Sequence, residues 1–74
     1  MTKQPVINGI ECIRALQKAG FVIKRQSGDH VIMKRPNPPA RVSVPNHRKD
    51  LKPGTLHQII TDAGLTIDAF IALL

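Results

Sequence analysis

Three histidines, His30, His47 and His57, are the side chains of this 74-residue sequence that ordinarily change protonation near neutral pH. Acid-base chemistry is therefore expected to run through one of them. His47 lies in a basic segment and suits a phosphate contact, and His57 lies beside the apolar stripe of a predicted helix. His30 follows a turn-forming cluster at 27–29 and is the distinctive candidate.

Metal-assisted chemistry has little support in the sequence. The five carboxylates are dispersed, and Cys12 is the single cysteine, so neither a carboxylate cluster nor a paired-thiolate site is predicted. Cys12 is expected to be a packing residue near the edge of a helix's buried stripe. We therefore expect no metal and no other cofactor.

One reaction that a histidine can catalyse without a metal ion is the cleavage of RNA. A base removes the proton of the ribose 2′-hydroxyl, the oxygen attacks the adjacent phosphate, and cations stabilise the added negative charge. DNA lacks this nucleophile and is expected to resist cleavage.

Positive charge is concentrated in the middle of the chain. Eleven Lys and Arg stand against five Asp and Glu, for a net charge of +6. Eight of these basic residues lie within 24–52, a pattern typical of proteins that bind a phosphate backbone, although a merely solubilising face has the same composition. With two Phe and no Tyr or Trp, phosphate and 2′-hydroxyl contacts are expected rather than base stacking. The predicted RNA-binding residues are Lys24, Gly28, Lys34, Arg35, Arg41, His47, Arg48, Lys49 and Lys52.

Apolar periodicity predicts two helices and a short terminal helical segment. Asn8 followed by Glu11 is a capping-box signal for a helix over about residues 9–19. A second helix begins at Pro53 and repeats apolar residues at i, i+3, i+4 and i+7. Its first N–H groups form a ready phosphate site. Thr66 can cap the last segment, which is expected to add the remaining core surface through Ile67, Phe70, Ile71 and Leu74.

The sequence between the helices has the character of three short strands. β-forming residues at 21–23 and an apolar segment at 30–33 flank the turn cluster and predict a tight hairpin. The proline-rich segment 36–39 cannot continue a strand and is predicted to be the second connection. Residues 41–44 alternate as a third strand, which Pro45 ends.

Alternation along the second strand predicts which side chains are exposed. If Val31 and Met33 face the core, His30 and Lys34 share the opposite face, near the outward side of Arg41. The other register would bury His30 and Lys34, and the cost of desolvating them disfavours it.

This order predicts an α+β, two-layer fold, α-β-β-β-α, in which a three-stranded antiparallel sheet carries the helices on one face. The order matches the double-stranded-RNA-binding-domain fold. A single domain over residues 1–74 is expected, because the chain is near the lower size limit for a hydrophobic core. The predicted core consists of Ile10, Ile13, Leu16, Phe21, Ile23, Val31, Met33, Val42, Val44, Leu56, Ile59 and Ile60.

The sequence also indicates the cellular compartment in which the protein is expected. No apolar run approaches the roughly 18 residues of a membrane helix. The first residues lack the apolar core of a signal peptide, and one cysteine excludes a disulfide framework. A cytoplasmic protein with no membrane partner is expected.

Several short motifs are spaced along the sequence, and their combination indicates a protein family more specifically than any single motif does. They are Gly20-Phe21, Gly28-Asp29-His30, Val44-Pro45-Asn46-His47, Lys52-Pro53-Gly54-Thr55-Leu56, Ile59-Ile60 and Ala63-Gly64-Leu65. In these motifs, over about residues 9–74, the sequence resembles the HicA family of mRNA interferase toxins.

The resemblance implies a bacterial or archaeal toxin of a HicA-HicB type II toxin-antitoxin system. It implies a double-stranded-RNA-binding-like fold, cleavage of mRNA, and inhibition by a HicB-type antitoxin encoded beside the toxin. The family's catalytic histidine, in its Gly-Ser-His motif, falls on His30. Asp29 stands where the family usually has Ser.

Two functions from different classes fit these residues. One is an endoribonuclease; the other is a non-catalytic RNA-binding module or degenerate toxin, which the same charge distribution supports. A histidine on the open face favours the enzyme, and a protein that binds only its antitoxin comes third. The general acid for the leaving group stays open among Lys34, Arg41 and a second role of His30.

Overall fold

The computed structural model describes residues 3–74 and places three helices and three strands in them. The helices are α1 (Gly9–Lys18), α2 (Pro53–Asp62) and α3 (Ile67–Ile71), and the strands are β1 (Val22–Ser27), β2 (His30–Pro36) and β3 (Pro39–Pro45). The strands form an antiparallel sheet in the order β1-β2-β3. The predicted α+β architecture, with its α-β-β-β-α order, is confirmed and is consistent with a double-stranded-RNA-binding-domain fold.

A capping box begins α1 as the sequence predicted. The Glu11 backbone N–H donates to the Asn8 side chain over 2.8 Å, and the Asn8 N–H donates to the Glu11 carboxylate over 3.3 Å. These bonds satisfy two N–H groups that the first turn of a helix otherwise leaves without partners. The helix ends at Lys18, close to the predicted boundary.

The buried face of α1 differs from the predicted one. Cys12 is fully buried at the centre of this face, not near its edge, and Ile10 is only partly buried. Gly9 is buried on the same side of the helix as Cys12 and Leu16, and a Cβ at this position would collide with the Pro45 carbonyl oxygen.

Two hairpins connect the three strands. In the first, Ser27 pairs with His30, and Gly28 occupies the turn with a φ of 59°, a conformation that glycine adopts without strain. The second is the connection predicted at 36–39, but it is shorter than expected, because Pro36 pairs with Pro39 at the very end of the ladder and only residues 37 and 38 lie between the strands. Proline is tolerated there since a terminal pair needs no N–H donor.

Burial along β2 confirms the predicted register. Val31 and Met33 are buried against the helices, whereas His30 and Lys34 are exposed on the opposite face, called here the open face. Within residues 3–74 no helix is both long and apolar enough to cross a bilayer.

Strand β1 is the part of the sheet that the helices leave uncovered. Helices α1 and α2 pack against β3 at the far edge, and all six residues of β1 are exposed. Ile23 was predicted to be buried, and this was wrong: it faces the helix side but is 50% exposed. In the terminal segment Phe70 is buried as predicted, whereas Leu74 is 48% exposed. The core also contains residues that the predicted core list lacked, namely Ile7, Cys12, Ala15, Leu51 and Ala63.

Candidate functional site

The open face of the sheet presents His30 near one end. His30 is paired across the ladder with Ser27 of β1 and with Pro45 of β3. Lys34 and Arg41 form another cross-strand pair, four residues further along β2. His30 therefore lies at the hairpin-turn end of the open face, and the cationic pair Lys34 and Arg41 lies further along the sheet. All three side chains are exposed.

Residues 46–52, called here the basic loop, connect β3 to α2 and are held by backbone hydrogen bonds. The Asn46 N–H donates to the Asp29 carbonyl over 2.6 Å, and the Gly9 N–H donates to the His47 carbonyl over 3.1 Å. The other end of the loop is held by the Leu51 N–H, which donates to the Ile7 carbonyl over 2.8 Å. The loop is thus fixed relative to the hairpin that carries His30.

A first cleft of about 720 Å³ lies between His30 and the basic loop. This volume is within the range of small-molecule sites in proteins. The cleft brings the imidazole of His30 together with a second imidazole and three cationic side chains. Its lining residues are His30, Pro45, His47, Arg48, Lys49, Asp50, Leu51, Lys52 and Thr55.

A second cleft of about 490 Å³ lies on the other side of His30, toward α2. Its lining residues are His30, Ser43, Pro45, Gly54, Thr55, Gln58, Ile59 and Asp62. His30, Pro45 and Thr55 line both clefts, so the histidine stands where the two meet.

The start of α2 contributes polar backbone groups to both clefts. Pro53 occupies the first turn, and Lys52 at the N-cap position makes no side-chain capping bond. The first N–H groups of a helix have no intrahelical acceptor, and the helix dipole adds partial positive charge there. Because Thr55 belongs to this turn, a phosphate next to His30 would also meet the positive end of α2.

The predicted RNA-binding residues lie in several different parts of the structure. His47, Arg48, Lys49 and Lys52 line the first cleft with His30. Lys34 and Arg41 lie on the open face outside both clefts. Lys24 is on the exposed edge strand at a bulge, and Gly28 is in the hairpin turn next to the site.

Arg35 is the predicted RNA-binding residue that the structure turns away from the open face. Its guanidinium lies 4.8 Å from the centre of the Phe21 ring and donates to the Ala63 carbonyl over 3.0 Å. Its Nε donates to the Pro38 carbonyl over 3.0 Å. Alternation along β2 places it on the helix side with Met33, so its role is to join the sheet to the end of α2.

Two polar residues of the second cleft, Ser43 and Gln58, were not among the predicted site residues. Ser43 alternates with buried Val42 and Val44, which places it on the open face. Gln58 lies one turn after Thr55, a spacing that puts both on one helix face. The pairing of β2 with β3 brings Ser43 near His30, as alternation along both strands predicts. Gln58 reaches the second cleft because α2 packs beside β3.

Cys12 lies outside the site. Burial in the core raises the pKa of its thiol to about 12, because the thiolate cannot be solvated there. Among residues 3–74 no three His, Cys, Asp or Glu side chains are arranged as a metal-binding group.

Comparison with known families identifies the chain. Residues 9–65 match the family described as HicA toxin of bacterial toxin-antitoxin, which covers more than half of the 74 residues. No curated protein is significantly similar to the chain. The match includes α1, the whole sheet, the basic loop and α2, and therefore every residue of the two clefts. The chain belongs to the HicA family, the toxins of bacterial toxin-antitoxin systems.

Proposed function

We propose that this toxin is an endoribonuclease that acts in the cytoplasm and cuts mRNA without a metal ion. His30 is the general base, and the cations of the first cleft bind the RNA backbone. A HicB-type antitoxin neutralises the toxin by covering this surface. The observation that carries the proposal is the first cleft, which places an exposed histidine beside Arg48, Lys49 and Lys52.

The reaction follows from these groups. Neutral His30 takes the proton of a ribose 2′-hydroxyl, and the 2′-oxygen attacks the adjacent phosphorus. The cations of the basic loop and the N–H groups at the start of α2 stabilise the negative charge that develops on the phosphate. The 5′-oxygen then leaves, and the products carry a 2′,3′-cyclic phosphate and a 5′-hydroxyl.

Lys34 and Arg41 extend the proposed RNA surface beyond the clefts. Both are exposed on the open face, where they can contact phosphates further along the strand without touching the reacting one. RNA affinity should therefore fall steeply with added salt, because each neutralised phosphate releases counterions.

The test compares RNA and DNA of the same sequence, each with and without a chelator. Wild type should cut RNA alone, should tolerate the chelator, and should leave a cyclic phosphate. His30→Ala should lose about 10² to 10⁴ in rate, the usual cost of losing an acid-base group. Its folding and RNA affinity should persist, because the side chain is exposed and the phosphates are bound by other residues.

His57→Ala is the matched control. His57 is an exposed histidine of α2 that lines neither cleft, so its removal should leave cleavage unchanged. Cleavage that requires added Mg²⁺ or Mn²⁺, or a His30→Ala variant as active as wild type, would refute the mechanism.

Asp29 provides the observation that favours the second function, a non-catalytic RNA-binding toxin. This exposed carboxylate precedes His30 and can repel an RNA phosphate. Asp29→Ser should therefore be measured beside wild type for cleavage and for RNA affinity. If wild type binds but does not cut RNA while Asp29→Ser cuts it, the degenerate-toxin function is correct.

The proposed mode of inhibition is coverage of the open face. Acidic groups of the antitoxin would meet Lys34, Arg41 and Lys49, whose charges are exposed in the described chain. In a co-expressed complex, hydrogen exchange should slow at the basic loop and RNA binding should be lost. A complex that still binds RNA through this face would contradict inhibition by coverage.

A further inference from the structure

We propose that His47 is the general acid of this reaction, the group that protonates the leaving 5′-oxygen. The inference rests on the proposed ribonuclease function, and the structure adds to it the position of a second imidazole. His30 and His47 both line the first cleft, one from the start of β2 and the other from the basic loop.

Backbone contacts fix the two histidines relative to each other. His30 pairs with Pro45, two residues before His47 in the chain. The residues next to them are joined directly, since the Asn46 N–H donates to the Asp29 carbonyl over 2.6 Å. On its other side, the His47 carbonyl accepts the Gly9 N–H over 3.1 Å. The loop therefore holds His47 at the cleft before any substrate binds, as a preorganised acid requires.

The other candidates for the acid fit less well. The base and the acid act on oxygens bound to one phosphorus, so each must come within hydrogen-bond distance of that group. Lys34 lies four residues from His30 along β2, roughly 13 Å at the rise of a strand, and neither it nor its cross-strand partner Arg41 lines a cleft. Within the cleft, Lys and Arg side chains ordinarily hold their protons too tightly to be efficient donors at neutral pH, whereas imidazolium releases its proton readily.

The proton balance of the step is complete. Neutral His30 takes the 2′-hydroxyl proton as the bond from O2′ to phosphorus forms. Protonated His47 gives its proton to O5′ as the bond from phosphorus to O5′ breaks. His30 ends as imidazolium and His47 as neutral imidazole, and exchange with water returns both to their starting forms. One proton is taken and one is given, and nothing is oxidised or reduced.

A modified substrate separates proton donation from binding. In an RNA whose bridging 5′-oxygen at the mapped cut is replaced by sulfur, the leaving thiolate needs no proton. His47→Ala should cut ordinary RNA about 10² to 10⁴ more slowly than wild type, yet should cut the sulfur substrate at nearly the wild-type rate. His47→Gln, which keeps a hydrogen-bond donor without an acidic proton, should behave likewise and should bind RNA as wild type does.

Two control variants are measured on both substrates. His30→Ala should be slow on both substrates, because both need a base, and His57→Ala should match wild type on both. If His47→Ala is equally impaired on the two substrates, His47 binds or positions RNA and the assignment is wrong. Unimpaired cleavage of ordinary RNA by His47→Ala also refutes it. If wild type cuts neither substrate, the proposed ribonuclease function itself fails.

Discussion

Replacing Gly9 by alanine should destabilise the protein, although alanine is the better helix former. Gly9 is buried in the first turn of α1, and an added Cβ would collide with the carbonyl oxygen of Pro45. It would also lie 3.1 Å from the His47 backbone nitrogen. These neighbours are backbone atoms at the end of β3 and in the basic loop, where hydrogen bonds hold the chain in place, so they cannot simply rotate away.

The magnitude follows from three effects. Overpacking costs about 1 to 3 kcal/mol, and loss of the bond from the Gly9 N–H to the His47 carbonyl costs roughly 0.5 to 1.5 kcal/mol. The helical preference of alanine offsets about 0.5 to 1 kcal/mol of this. These three ranges combine to a net loss of about 0.5 to 4 kcal/mol, which in a domain of this size lowers the unfolding temperature by about 2 to 30 °C.

Gly54→Ala is a matched control for this measurement. Gly54 also lies in the first turn of a helix, but nothing lies within 4 Å of the Cβ it would gain. Its replacement should be neutral or stabilising by up to about 1 kcal/mol, because alanine restricts the unfolded chain. Thermal unfolding of both variants beside wild type tests the reasoning. A Gly9→Ala variant as stable as wild type, or equal losses in both variants, would refute it.

Further predictions concern three residues outside the clefts. Because burial raises the pKa of Cys12 to about 12, its thiol should resist alkylation at pH 8 in the native protein and react quickly in denaturant. The unfolded chain ionises this thiol first, so its contribution to stability should decline as pH rises through the ordinary thiol range toward 12; rapid native alkylation would contradict the burial. Arg35→Ala should cost about 1 to 3 kcal/mol in the free energy of unfolding, through the lost bond to the Ala63 carbonyl and the lost Phe21 contact. Arg41→Ala should change stability little while weakening RNA binding, and the reverse pattern would show that the two arginines have been assigned to the wrong faces.

Local signals determined much of this protein. The capping box at Asn8 and Glu11, the hairpin turn at Gly28 and the alternation of Val31 with Met33 each depend on residues only a few positions apart. Such interactions form within a single helix turn or strand pair, whatever the rest of the chain does. For this reason the element order and the exposure of His30 were predictable from the sequence.

The tertiary structure decided which of the exposed and basic residues meet. Ile23 and Met33 have equally apolar environments in the sequence, but only Met33 lies under the helices, because β1 forms the uncovered edge of the sheet. Alternation along β2 already places Arg35 on the same side of the sheet as Met33, but its contacts with Phe21 and the Ala63 carbonyl depend on how the helices pack.

The candidate site also depends partly on local sequence and partly on tertiary packing. The sequence by itself determined that His30 is exposed and that residues 46–52 are basic. Their convergence in one cleft with His47 required contacts between distant segments: Gly9 against Pro45, Asn46 with Asp29, and α2 beside β3. These contacts depend on how the helices pack over the sheet, and the periodicity of a single segment contains no information about the distance between two segments.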